Sequence, residues 1–392
     1  MEDVASRAPA ARWATIVAFF LNGTVFGVWA TQIPVIKDHL DLSPAVVGLA
    51  LLCLAAGALT AMIGSGALLG RVGSAPVVRV TALLFALLLP LPVLMPNLTG
   101  LCAVLVLFGA AGGTMDVAMN AHGALVERHL RRPIMSSLHG MWSLGGLCGA
   151  AAGGLLLQVM PPAAVCAVIA GALIALFLAL QGRFLPGKAD GGAESGGLAL
   201  PSRGTLLLGA LTFLAFLSEG AILDWSAIYL REDLGGATTV AGLGFAVFSG
   251  TMAVGRFCGD ALRQRVGGAT LVRSGAMLAF AGLAVALLGG GPVVAVVGFG
   301  LTGLGLSNVV PVLFSIAGSG EAGSGNADSS DEGTAASSIA AVATLGYAGV
   351  LAGPALLGFV AEASTVGFSF ALVAALALVI AAAATRVVPR RA

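Results

Sequence analysis

Ala67-Leu68-Leu69-Gly70-Arg71-Val72-Gly73 closes one apolar run, and 194 residues later Ala261-Leu262-Arg263-Gln264-Arg265-Val266-Gly267 closes another in the same way. Gly48-Leu49 and Gly242-Leu243 keep the same offset. Gly146, Gly149 and Gly153 recur as Gly346, Gly349 and Gly353, and Phe108-Gly109-x-x-Gly112 recurs as Phe299-Gly300-x-x-Gly303. Glycine-rich runs match easily by chance. The first pairing carries the most weight, because it puts the same turn after the second apolar run of each half. The chain therefore reads as a duplicated unit. Duplicated halves with a substrate site between them, near mid-membrane, are a transporter architecture.

Composition points the same way. Of 392 residues, 58% are hydrophobic and 9% charged, where a soluble domain has about a quarter charged. The mean hydropathy is +1.02. A spanning helix needs about 20 mostly apolar residues. Such runs lie near 13–35, 45–69, 76–95, 98–125, 135–159, 162–182, 205–230, 239–262, 269–289, 292–317, 335–361 and 364–386. Backbone polar groups find no water in hydrocarbon, so these runs must be helices. The expected fold is an all-α membrane protein of 12 transmembrane helices in two pseudo-symmetric six-helix bundles. The bundles are 1–182 and 205–392, joined by a cytoplasmic linker at 183–204; the Gly/Ser/Asp-rich stretch 318–333 is a second linker-like segment. The first run is expected to be a retained helix rather than a cleaved signal peptide, since eleven more follow.

Charge sets the orientation. With the N-terminus inside, 16 of the 19 Lys and Arg residues fall on the cytoplasmic side. Lys37 and Arg231 fall outside, and Arg256 falls within a span. That asymmetry follows the positive-inside rule and places both termini in the cytoplasm, with the chain multi-pass in the inner cell membrane. The stretch 318–333 is discordant, with four acids and no base, but acids weigh little in the rule. Net charge is +1 and no basic stripe is long enough for nucleic acid. The five cysteines form no C-x-x-C and read as small buried hydrophobes, not as disulfides or metal ligands.

The turn in the second half, Gly255-Arg256-Phe257-Cys258-Gly259-Asp260 followed by Arg263, Arg265 and Gly267, resembles the loop signature of the major facilitator superfamily. In the first half Gly66, Leu68, Arg71 and Gly73 remain, with Gly70 where the family usually has an aspartate. Asp116-Val117-Ala118-Met119-Asn120, Ser136-Ser137-Leu138-His139-Gly140-Met141-Trp142-Ser143 and Glu219-Gly220-Ala221-Ile222-Leu223-Asp224-Trp225-Ser226 are similar to the fucose–proton symporter branch, most of all its YbjJ-type members. The resemblance implies secondary transport, usually by a monomer, and it reads Arg71, Arg256, Asp260, Arg263 and Arg265 as a cytoplasmic gate. It also sets Asp116 where the fucose branch has a proton-coupling glutamate. The branch carries an aspartate in its first helix and this chain has none, which argues against fucose itself and against a two-carboxylate relay.

An ionisable side chain inside a span costs several kcal/mol unless it pairs or meets water, so each is a functional candidate. Asp116 sits mid-span with Asn120 one turn on, a combination that suits a proton carrier or a structural carboxylate held by neighbouring helices. Glu219 lies mid-span in the seventh helix. Asp224, five residues on, does not share its face. His139 is about one turn into the fifth helix and joins them as a proton-coupling candidate. Asn22, Gln32, Asn120, Trp142, Trp225 and Asn308 are substrate-binding candidates, and each is also explained by helix packing or an interfacial belt. Pro311 predicts a kink in the tenth helix. Gly298-x-Gly300-x-x-Gly303 fits a dinucleotide fingerprint in letters only, since no strand precedes it. No P-loop, H-E-x-x-H or G-x-S-x-G occurs, so no enzyme, cofactor, metal or catalytic residue is expected. The reading that results is a proton-coupled symporter of a small, neutral, hydroxylated, sugar-like molecule, with protons and the bilayer as its other partners. The alternatives are proton-driven efflux of a drug or secondary metabolite, and a transport-dead membrane sensor.

Overall fold

The structure is a computed structural model, and it describes residues 2–42, 44–186, 201–236, 238–319 and 332–388. The central parts of both linker-like stretches, 187–200 and 320–331, lie outside the described residues. Everything regular among the described residues is helix. The first half comprises α1 (Glu2–His39), α2 (Pro44–Val72), α3 (Ser74–Leu88), α4 (Leu98–Leu130), α5 (Met135–Leu156) and α6 (Pro162–Leu180). The second comprises α7 (Arg203–Ile228), α8 (Thr238–Val266), α9 (Gly268–Leu288), α10 (Pro292–Leu306), α11 (Val309–Ser319), α12 (Glu332–Ala363) and α13 (Val366–Val387). Stretches of α1, α2, α3, α4, α6, α7, α9, α13 and the α10–α11 pair are long and apolar enough to cross a membrane. α5, α8 and α12 are 22, 29 and 32 residues long. Their glycines and, in α8, their charges dilute the apolar signal.

Two differences from the expected spans have clear causes. α1 starts at Glu2, well before the apolar run, because Ala5, Ala8, Ala10 and Ala11 continue the helix past the hydrocarbon. The tenth crossing is split at Ser307-Asn308. Pro311 has no N–H to give the Ser307 carbonyl, so the helix breaks one turn before the proline, where a kink was expected. Large apolar side chains such as Leu52, Leu147, Leu155, Val159 and Phe359 lie on the bundle surface, as lipid permits. For the same reason Cys148 and Cys258 are exposed, whereas Cys166 is buried; all five cysteines are free.

Gly149 and Gly349 do the same job in both halves. In the first half α1 packs along α5, and in the second α7 packs along α12. A Cβ at Gly149 would lie 3.0 Å from the Thr24 carbonyl carbon of α1, and one at Gly349 would lie 3.0 Å from the Phe213 carbonyl carbon of α7. Backbones therefore touch where a larger residue would hold them apart. Between the halves, α2 packs on α12, α5 on α8, and α4 on α11 and α12.

Candidate functional site

α4 presents Asp116 and Asn120 on one face. The Asn120 side-chain amide donates to the Asp116 backbone carbonyl at 2.9 Å, which leaves its oxygen facing α5. There it accepts from His139 Nε2 at 3.1 Å, so His139 carries its proton on that nitrogen. The ring is wedged between Phe19 of its own half and Phe314 of the other, with centroids 5.4 and 5.8 Å away. One turn further along α5, Ser143 donates its hydroxyl proton to the His139 carbonyl at 3.2 Å. Its oxygen accepts from Arg256 Nη1 of α8 at 2.7 Å, a bond that crosses between the halves. Arg256 Nη2 stands 3.6 Å from Glu219 of α7. The chain of contacts Asn120–His139–Ser143–Arg256–Glu219 thus spans the middle of the protein.

Asp116 sits at the edge of this chain. It is buried, makes no side-chain hydrogen bond or ion pair among the described residues, and lies within electrostatic reach of Tyr347 on α12. Glu219 and Arg256 are nearly closed off as well, at 18% and 5% exposed. Glu219 has one oxygen engaged by Arg256 and the other without a partner. An unpaired acid and His139 from the first half and an ion pair from the second are therefore held in one buried layer.

A second cluster lies at the end of the bundle where α1 begins and α13 ends. Asp260 of α8 accepts from the backbone amides of Ser136 and Ser137, both at 2.9 Å. Glu127, in the last turn of α4, accepts from the amides of Ile134 and Met135 at 2.7 and 2.9 Å. Arg263 of α8 reaches Glu127 at 3.2 Å and Ser315 of α11 at 2.6 Å, and the Ser315 hydroxyl also bonds to Glu127. Among the described residues, the hydrogen bonds and ion pairs between halves all lie from the middle of the bundle to this end.

The remaining candidates fall elsewhere. Arg256 belongs to the central layer rather than to the cluster around Asp260, since it is one helical turn deeper. Arg71 and Arg265 are exposed. Asn22 is fully buried within the first half, where it accepts from Trp142 Nε1 at 2.8 Å. Gln32 is also fully buried and bonds its neighbour Thr31. Asn308 donates to the Gly255 carbonyl and to Ser307, and so ties the break in the tenth crossing to α8. Trp225 packs its ring edge against Gly358, and Asp224 is exposed on α7. No group of three or more metal-ligating side chains occurs among the described residues.

Glu127, Ser143, Ser315 and Tyr347 were not singled out by the sequence. Glu127 stands in Glu127-Arg128-His129-Leu130-Arg131-Arg132, where an acid among bases looks like a solvated helix end. The available signal was its place just before the start of α5, a helix whose first residues offer no side-chain cap.

The chain is similar to known proteins over nearly all its length. The sequence profile of the Major Facilitator Superfamily matches residues 15–327. An MFS-type transporter of Yersinia pestis is 37% identical over 95% of both chains. The membrane protein MosC of Rhizobium meliloti is 34% identical over 94% of this chain and 88% of its own. Among solved structures, the transporter FucP in its outward conformation matches with a TM-score of 0.75 at 17% identity, over 96% of this chain and 98% of that one. The proton:xylose symporter XylE matches at 0.74 and 13%, over 98% and 96%.

Proposed function

The chain belongs to the major facilitator superfamily, and from that premise we propose that it is a proton-coupled secondary transporter of a small, neutral, hydroxylated molecule. Two bundles, 1–182 and 205–392, rock about the central layer, each monomer working alone. The termini lie in the cytoplasm of a cell whose inner membrane holds the protein, as the Lys and Arg distribution supports. In that orientation the contacts between halves gather on the cytoplasmic side, and the state is outward-facing.

One observation carries the proton coupling: Asp116 is a buried carboxyl without an ion pair or hydrogen-bond partner for its side chain among the described residues. Such a group changes its cost with protonation, and only in the conformations that bury it. Taking up a proton therefore shifts the balance between the two states. Glu219 is the second proton candidate, held in reserve by Arg256. Amide and hydroxyl groups with little net charge in the central layer suit a polyol. FucP is a fucose:proton symporter and XylE a proton:xylose symporter, and these likenesses add weight to a sugar-like substrate.

The test uses purified protein in liposomes. A sugar panel beginning with L-fucose and D-xylose is expected to raise the thermal midpoint of the wild type. With the stabilising sugar, Asp116→Asn should keep exchange of labelled for unlabelled substrate but lose accumulation driven by a pH gradient by at least about tenfold. Unchanged gradient-driven uptake in that variant would remove Asp116 from the mechanism. Stabilisation by lipophilic compounds alone would reverse the substrate reading.

A further inference from the structure

We infer that Cys53 of α2 and Cys102 of α4 form a redox-active dithiol near the outer end of the first half, closed to a disulfide by a lipid-soluble quinone, and that the closed form clips the two helices together. The pair lies apart from the central layer: Cys102 is 14 residues, about 21 Å along α4, before Asp116. It does not depend on which molecule the protein carries.

The chain separates the two cysteines by 48 residues, and no local motif joins them. The fold does. Their side chains share a hydrogen bond, thiol to thiol, and both cysteines are free and half-buried.

The seam beneath them makes this contact a fixed one. One turn on from the cysteines, a Cβ at Gly57 would lie 2.9 Å from the Val106 Cα. Deeper still, a Cβ at Gly109 would meet the Leu54 carbonyl, and one at Gly113 would lie 2.9 Å from the Ala58 carbonyl oxygen. Cys102, Val106, Gly109 and Gly113 are spaced i, i+4, i+7 and i+11, so they share one face of α4. The paired positions advance together along both helices, which therefore run parallel. Glycine lets the two backbones touch. A disulfide needs Cβ atoms about 3.5–4.5 Å apart, and only helices packed this closely bring them there without backbone movement.

The surroundings suit oxidation. In the proposed orientation α2 and α4 both begin on the outer side of the membrane, where disulfides persist. Cys102 is one turn inside the start of α4, and the N-cap Asn97 is exposed. Beside the two cysteines, Leu52 and Val106 are exposed on the lipid-facing surface. The dithiol therefore stands where water can take up a thiol proton and where hydrocarbon brings a dissolved quinone. Two S–H bonds break and one S–S bond forms. The quinone accepts the two electrons and two protons and leaves as a quinol, so the step balances with no other reactant.

The experiment uses full-length protein in proteoliposomes with Cys148, Cys166 and Cys258 replaced by Ala. Duroquinone is the oxidant, because its ring carries no free position for a thiol to add to. After denaturation, a maleimide label counts the remaining thiols. Reduced protein should show two and oxidised protein none, with both restored by dithiothreitol. Cys53→Ser and Cys102→Ser should each keep their single thiol through the same treatment. Peptide mapping of the wild type should find the same bridge, lighter by two hydrogens, and keeps the test open if the triple replacement does not fold. In detergent the oxidised form should melt about 5 °C or more above the reduced form. Two thiols that survive complete oxidation, or a bond that joins separate molecules, would overturn the dithiol. A bridge that leaves the thermal midpoint unmoved would overturn the clip.

Discussion

Glu219 and Arg256 meet within a protein interior that is itself surrounded by hydrocarbon. Their 3.6 Å separation and the bond from Arg256 to Ser143 offset much of the cost of burying two charges. Removing one partner leaves the other charge buried and uncompensated. Glu219→Ala should therefore lower stability by about 3 kcal/mol, seen as a reduced thermal midpoint in detergent, and adding Arg256→Met should recover most of the loss. A double variant no more stable than the single one would show that the pair matters through something other than its charge. Asp116 was legible because an acid inside an apolar run stands out whatever surrounds it. Arg256 was legible as a charge but not in its partner: the spacing to Asp260 suggested a shared cluster, and only the packing of α7 against α8 supplies Glu219. Ser143 gave no signal, since a serine in a glycine-rich helix is ordinary until a guanidinium from the other half points at it.

At the scale of elements, α5 shows how sequence and packing divide the work. Its glycines were visible as a repeat, and their purpose follows from the backbone contact that they allow with α1. Gly149→Val should abolish that contact and cost about 1–3 kcal/mol or more, because the added atoms meet backbone that cannot move aside. Gly154, on the same helix, has nothing within 4 Å of where its Cβ would be, and Gly154→Val should be tolerated. Size-exclusion profiles of the two variants check the contrast; similar profiles would mean that the α1–α5 seam is not close-packed. The break between α10 and α11 was half legible. Pro311 announced a disturbance, but the site of the break depends on Asn308 tying the chain to the Gly255 carbonyl on α8.

For the whole molecule, the distribution of contacts between halves sets which end is shut. A disulfide formed between cysteines in Gly66→Cys and Ala340→Cys, positions where the added Cβ and the Ala340 Cβ lie 3.2 Å apart, should hold that end closed. Substrate flux should stop on oxidation and return on reduction; flux that persists after complete cross-linking would contradict rocking bundles. The sequence by itself determined that lipid is the solvent, that the chain is built from helices in two related halves, and that very few ionisable groups are buried. Those properties follow from local composition and from the period of the repeat. Tertiary structure alone decided which buried charges meet and that Glu127 and Asp260 share the start of one helix. Such facts depend on helices far apart in the chain approaching to hydrogen-bond distance, and no local pattern encodes a partner that the fold brings from the other half.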